Sequence, residues 1–236
     1  MKQTETKPIE TPVCYIFGAG ERTGCTVKLA PSDMIIAADG GFDYVNALGL
    51  HADFVLGDFD SVTNRHLPPD CIRYPSKKDD TDLVLAVKLG LEKGYTEFVI
   101  YGGLGGRLDH TLANIQVLTY IASEGAHGLL VGEDFDIQVI TNGSLSFSKD
   151  LPENTAGNIC SVFSLSEESR NVHIEGFEYE VSDITLTNSF PLGISNTFTG
   201  KNAYISVEKG TLAILSYRQP LPAQKEKSTN PQQFSE

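Results

Sequence analysis

A chain of 236 residues with a formal net charge of −13 repels polyanions, which argues against nucleic acid as its main partner and leaves small nucleotides possible only where cations are supplied locally. Its content of 40% hydrophobic and 21% charged residues is that of a globular protein of one large or two modest domains, able to bury roughly 70–75% of its unfolded surface without staples. Four cysteines (Cys14, Cys25, Cys71, Cys160) stand far apart, with neither a Cys-x-x-Cys pair nor zinc-like spacing to the histidines, and are expected as buried, reduced thiols. The polar start over 1–10 carries no export signal and no apolar run reaches membrane-spanning length, so a cytoplasmic location without a membrane partner is expected.

From Val13 to about Phe135, short β-type runs at 13–18, 34–38, 53–57, 72–75, 97–102 and 128–132 alternate with helical segments. That alternation predicts an α/β unit over 13–135, a mostly parallel sheet with helices on both faces. The helix after Asp82 places Leu83, Val87 and Leu91 on one face, and the helix after Asp109 places Leu112, Ile115, Leu118 and Ala122 on one face. From Asp136 the pattern becomes short alternating strands. A hairpin is predicted at 137–141 and 144–148 around Asn142-Gly143, followed by runs at 159–165, 170–175, 184–187, 203–207 and 211–217. This predicts a C-terminal all-β sandwich over 136–218, with a polar, aperiodic tail at 219–236 expected to be disordered.

Four acidic, glycine-punctuated segments end four of the apolar runs: Asp39-Gly40-Gly41, Gly57-Asp58-Phe59-Asp60-Ser61, Asp79-Asp80-Thr81-Asp82 and Gly102-Gly-Leu-Gly-Gly106-Arg107-Leu-Asp109-His110. In an open parallel sheet, ligands bind beyond the carboxyl ends of the strands, so acids delivered there converge. Converging carboxylates repel one another, and a hard divalent cation relieves the repulsion. Asp58 and Asp60, two apart, are expected on one side of an extended strand, as suits Mg²⁺. Asp79, Asp80 and Asp82 also stabilise the positive end of a helix whether or not anything binds. The four glycines before Arg107 exceed what a strand-to-helix loop needs and let backbone amides approach an anion, with Arg107 offering a planar fork for phosphate. Gly18-Ala-Gly20 is a turn bordering the same place. His51, His66, His127 and His173 have no partner pattern, whereas His110 adjoins the glycine loop.

Taken in order, these segments, together with Asn114 and Gly193-Ile-Ser195-Asn196, resemble the thiamin pyrophosphokinase family over roughly residues 13 to 218. The resemblance implies a homodimeric enzyme with thiamin bound between subunits, moving the terminal pyrophosphate of ATP to the thiamin hydroxyl and releasing AMP. It places Mg²⁺ and the phosphates on Asp39, Asp58, Asp60 and Asp82. ATP falls to Asp39, Gly40, Gly103, Gly105, Arg107, Asp109, His110 and Asn114, and thiamin to Asp79, Ser195 and Asn196. Asp58, Asp60, Asp82 and Arg107 are the implied catalytic set. Two departures stand out: Lys78 occupies a place where some relatives carry glutamine, and the chain has no tryptophan. A ring stacked on thiamin must therefore be Phe or Tyr. Phe198 is a candidate by position, with a sandwich-core role as its alternative.

Two other readings compete. Asp58-Phe-Asp60-Ser-Val62 matches the Asp-x-Asp-x-Val of haloacid-dehalogenase-like phosphatases, but that motif normally ends the first strand of its sheet and here ends about the third. A non-catalytic nucleotide sensor would use the same pocket without turnover.

Overall fold

The computed structural model describes residues 11–24, 27–60, 62–63 and 67–218. The expectations for Cys25, Ser61, His66 and the 219–236 tail lie outside the described residues. The α/β part runs β1 (Val13–Phe17), β2 (Met34–Ala38), α1 (Gly41–Ala47), β3 (Phe54–Gly57), β4 (Ile72–Arg73), α2 (Asp82–Glu92), β5 (Glu97–Tyr101), α3 (Leu108–Ser123) and β6 (His127–Val131). These six strands pair in parallel in the order β4-β3-β2-β1-β5-β6. The chain leaves β1 toward β2 on one side and returns from β4 through α2 to β5 on the other. The order therefore reverses between β1 and β5.

β1, β2, β3, β5 and β6 are buried on both faces, as parallel strands are, while the edge strand β4 is not. Cys14, Ile16, Met34, Ile36, Leu56, Phe98, Ile100 and Leu130 face a core shared with Leu83, Ala86 and Val87 of α2 and Val117, Leu118 and Ile121 of α3. Phe17, Ile35, Ala37, Val55, Tyr101 and Val131 face Phe42, Tyr44 and Val45 of α1. The face predicted for α2 is the buried one, but that of α3 is rotated and begins later. Leu112 is 57% exposed and Leu108 71%, because the first turn of α3 projects beyond the sheet.

The β part comprises β7 (Phe135–Thr141), β8 (Ser144–Phe147), β9 (Ile159–Ser164), β10 (Glu168–Glu175), β11 (Val181–Thr187), β12 (Gly193–Thr197), β13 (Ala203–Lys209) and β14 (Thr211–Tyr217). It does not form a separate pair of sheets. β7 pairs antiparallel with β6, and β14, β9 and β12 follow, so the parallel sheet continues into a mixed ten-stranded sheet ordered β12-β9-β14-β7-β6-β5-β1-β2-β3-β4. A four-stranded antiparallel sheet, β11-β10-β13-β8, packs on its extension. The period of two explains how one sheet serves two cores. Ala213 and Leu215 of β14 face the core under α3, while Leu212 and Ile214 face the sandwich.

The hairpin expected at Asn142-Gly143 does not form, since β7 pairs with β6 and β14 whereas β8 pairs with β13. The turn instead carries the chain from one sheet to the other. Asn142, at φ 47°, docks on the β13–β14 turn, its N–H donating to the Gly210 carbonyl and its side-chain oxygen accepting the Gly210 N–H. Cys14 and Cys160 are buried free thiols as expected, while Cys71 is only half-buried. Among the described residues, no helix is long and apolar enough to cross a membrane.

Candidate active site

Three loops at the carboxyl edge of the parallel sheet bring acids together. Asp39 follows β2 in a left-handed conformation, φ 50°. Its N–H donates to the Leu56 carbonyl of β3 at 2.8 Å, and its own carbonyl accepts the Phe42 N–H at the start of α1. Gly57 makes this neighbourhood possible, since a Cβ there would lie 3.1 Å from the Asp39 backbone. Asp82 opens α2, whose first turn is capped by Thr81 accepting the Val84 N–H at 3.3 Å. One carboxylate oxygen from each of Asp39, Asp58 and Asp82 lies within 4.8 Å of the other two.

Asp60 stands apart from this triad. β3 ends at Gly57 and Phe59 adopts φ 63°, so the chain turns sharply between the two aspartates and the same-side geometry of an extended strand does not apply. Asp60 is exposed and its amide donates to Asp58 Oδ1 at 3.4 Å. The Ser76 hydroxyl holds the Asp58 carboxyl below its usual range against the opposing effect of burial, with lesser help from the Asp60 amide and the Lys78 charge. Burial pushes the Asp82 carboxyl up, Lys78 opposes that, and Asp39 and Asp58 add to the rise. Lys78 Nζ lies 2.9 Å from Asp82 Oδ1 with its side chain only 14% exposed. Asp79 is exposed, and Asp80 pairs with Lys88 at 2.6 Å on the outer side of α2.

The glycine-rich loop after β5 is largely explained by packing. Gly18 N–H donates to the Tyr101 carbonyl at 2.8 Å, Gly20 N–H to that of Gly102 at 2.7 Å and Glu21 N–H to that of Leu104 at 2.9 Å. A Cβ on Gly102 would lie 2.4 Å from the Gly18 carbonyl oxygen, so the two loops at the strand-order reversal can approach only as glycines. Gly103 and Gly105 face Leu130 and Glu21 at similarly short range, and only Gly106 opens to space. Asn114 donates from Nδ2 to the Gly103 carbonyl at 2.6 Å and so braces the loop. Arg107 grips Asp109 with two hydrogen bonds, Nε to Oδ1 at 3.1 Å and a terminal nitrogen to Oδ2 at 2.5 Å, holding that carboxyl down at about 2. Both side chains and His110 are exposed at the loop surface, and Gly40 precedes α1 as its N-cap.

The Ser195-Asn196 pair lies on β12, at the far edge of the ten-stranded sheet. Ser195 is exposed at φ 59° and its amide donates to Ser161 Oγ at 3.0 Å. Asn196 is buried, and its side chain is spent on backbone. Oδ1 accepts the Tyr179 and Thr197 N–H groups, and Nδ2 donates to the Tyr179 carbonyl at 2.7 Å. The result pins the backbone of Tyr179, a residue 66% exposed, to the strand that carries Ser195. Sequence reasoning did not single out Tyr179; the absence of tryptophan pointed only to some Phe or Tyr. Phe198 instead lies in the sandwich core against Phe147 and Phe177, with ring centroids 5.2 and 4.6 Å apart. Asp39, Phe59 and Ser195 hold left-handed backbone, as do Asn142, Asn171 and Asp183 elsewhere in the fold.

A strand-end acid triad on a parallel sheet whose extension forms half of a β-sandwich defines a two-layered α/β protein with a cluster of carboxylates at the carboxyl edge of its parallel strands. Residues 27–128 match the thiamin pyrophosphokinase catalytic domain, and residues 148–212 match the thiamin pyrophosphokinase vitamin B1 binding domain. The chain is 32% identical to the thiamine pyrophosphokinase of Bacillus subtilis (strain 168) over 165 residues, 67% of this chain and 75% of that protein. The crystal structure of thiamine pyrophosphokinase from Bacillus subtilis is similar at a TM-score of 0.77 and 27% identity, covering 87% of this chain and 98% of that one. Yeast thiamin pyrophosphokinase shares the fold at a TM-score of 0.63 and 16% identity, over 92% of this chain and 89% of that one. The chain belongs to the thiamin pyrophosphokinase family.

Proposed function

We propose that this protein transfers the terminal pyrophosphate of ATP to the hydroxyethyl oxygen of thiamin, giving thiamin diphosphate and AMP, and that it does so as a Mg²⁺-dependent homodimer. The observation that carries the metal reading is the triad. Octahedral Mg²⁺ holds oxygens at about 2.1 Å, so opposite ligands stand about 4.2 Å apart, and three carboxylate oxygens within 4.8 Å of one another close on such an ion with small side-chain movements. Asp39, Asp58 and Asp82 would hold the ion, with Asp60 acting from outside through the amide that orients Asp58. When bound, Mg²⁺ supplies positive charge to the phosphate oxygens, and transfers of this kind depend mostly on alignment and charge neutralisation. Arg107 would trade its Asp109 partner for phosphate, and Gly103, Gly105, His110 and Asn114 shape the loop that receives ATP. Ser195 and Tyr179 would meet thiamin, the Tyr179 ring lying on its cationic face. Asn196 would act by fixing Tyr179.

The sheet order supports the dimer. β12, carrying Ser195, and β3, preceding Asp58, are separated by eight strand spacings of about 4.8 Å, about 38 Å along the sheet. In this reading one protomer does not bring its own thiamin residues to its own triad. β12 is an edge strand, and beside Tyr179 it presents Ile194, with Leu192 and Phe190 just before it, each more than half exposed. An exposed apolar edge of this kind suits a second copy, whose triad would then face these residues. In this reading residues 13–135 form the nucleotide- and metal-binding domain and 136–218 the thiamin-binding domain.

The test is to incubate the purified protein with ATP, MgCl₂ and thiamin and to analyse products by mass spectrometry. Equimolar AMP and thiamin diphosphate are expected. ADP or inorganic phosphate in their place would overturn the assignment.

A further inference from the structure

The acid triad has a cation already built beside it. Lys78 lies four residues before Asp82, on the segment leading into α2, and its ammonium sits 2.9 Å from Asp82 Oδ1. Its aliphatic stem is covered, leaving the side chain 14% exposed, and the ammonium stands 5.8 Å from the centroid of the Tyr74 ring, another attraction for a cation. A lysine so confined contrasts with its neighbour Lys77, which is exposed. The ammonium also acts on Asp58, so its charge reaches two of the three acids. A fixed positive charge next to a cation site has two consequences. It relieves part of the repulsion among Asp39, Asp58 and Asp82 when no ion is present, and it repels an arriving divalent ion. The repulsion vanishes when the ion arrives with a polyanion, because the ammonium can then leave Asp82 for a phosphate oxygen.

We propose that Lys78 is a resident counter-ion that weakens divalent-cation binding to the empty triad and strengthens binding of the nucleotide, so that metal is taken up mainly together with the polyphosphate. This rests on the metal reading of the triad. Lys78 is thus a positioning and affinity-setting residue, not a group that takes part in the bond exchange.

The test is calorimetric titration of the nucleotide-free, full-length protein with MnCl₂, followed by titration with ATP in the absence of metal. Lys78→Gln is expected to bind Mn²⁺ about tenfold more tightly than the unsubstituted protein and ATP about tenfold more weakly, the opposite signs expected when one charge faces a cation and a polyanion in turn. Lys78→Arg, which keeps the charge, is expected to restore both affinities to within about threefold. Lys77→Gln, the same change of net charge one residue away, is expected to shift Mn²⁺ affinity by less than about twofold. Weaker or unchanged Mn²⁺ binding by Lys78→Gln, with the protein still folded by circular dichroism, overturns this inference and leaves the metal site standing. Failure of the unsubstituted protein to bind Mn²⁺ with or without ATP overturns both. Equal tightening by Lys77→Gln would replace local pairing by net charge and also defeat the inference.

Discussion

If the triad of one protomer works with the β12 edge of another, two different inactive variants must repair each other. Asp58→Asn removes one of the three triad carboxylates, while Tyr179→Ala removes the exposed residue hydrogen-bonded to Asn196 of β12, and β12 lies about 38 Å along the sheet from β3, which leads to Asp58. Reacting atoms must come within about 3.5 Å of each other, so no side-chain movement within one chain closes that distance. In a symmetric dimer with two shared sites, a hybrid of the two variants has one site carrying both substitutions and one carrying neither. Random re-pairing of an equal mixture makes about half of the dimers hybrids, each with one intact site of two, so about one quarter of the unsubstituted activity should return. The assay is AMP formation after mixing the purified variants, exchanging subunits in mild denaturant and diluting, at a thiamin concentration where Tyr179→Ala alone retains about a tenth of activity, the loss expected for a stacked cation. Sedimentation would confirm that dimers re-form. An activity equal to the average of the two parents, with dimers present, would refute the shared site and with it the reasoning from strand order.

Gly41→Ala should be severe, because its Cβ would lie 1.8 Å from the Phe17 carbonyl oxygen at the end of β1. The start of α1 must then move by more than about 1 Å, which costs about 3 kcal/mol or more and displaces the adjoining Asp39, so urea midpoint and Mn²⁺ affinity should fall together. Gly143→Ala, whose Cβ would sit 3.5 Å from the Thr141 carbonyl oxygen, should cost less than about 1 kcal/mol. Asp58→Asn should weaken Mn²⁺ binding by about tenfold to a hundredfold and Asp60→Asn by distinctly less, since only Asp58 belongs to the triad; equal losses in titration would contradict that geometry. Asp136, buried beside Arg218 at 3.3 Å, has its carboxyl raised from 3.8 to about 6, with burial outweighing the guanidinium. A folded value above the unfolded one means that the unfolded chain gives up its proton first as pH rises. Asp136 should therefore cost stability progressively between about pH 3.8 and 6, by about 3 kcal/mol in total. Urea unfolding at pH 4 and 7 should show a smaller fall in Asp136→Asn than in the unsubstituted protein, and parallel behaviour of the two would exclude the effect.

Much of the fold was legible because strand periodicity and burial are local properties. All six parallel strands lie where alternation predicts them, and Leu83, Val87 and Leu91 mark the buried side of α2. The short α1 and β12 escaped notice. Seven residues opening on Gly41 carry too few turns for a periodic signal, and β12 is broken by a bulge and by Ser195 at φ 59°. The glycines around Arg107 were visible as a cluster, but their meaning was not. Their partners, Gly18 and Glu21, arrive from about eighty residues earlier, so the sequence could suggest an anion cradle where the backbone was making room for another backbone.

The sequence by itself determined which residues are acids at strand ends, which runs become strands and which family these segments resemble, because residue type and short-range spacing settle those matters. Only the tertiary structure decided that Asp39, Asp58 and Asp82 meet while Asp60 does not, that Asn196 is spent on holding Tyr179, and that the sheet runs unbroken from β4 to β12 with the two candidate half-sites at opposite ends. Those outcomes depend on which strand pairs with which and on left-handed turns at Asp39 and Phe59. Both are imposed by packing between segments distant in the chain, where no local pattern carries the information.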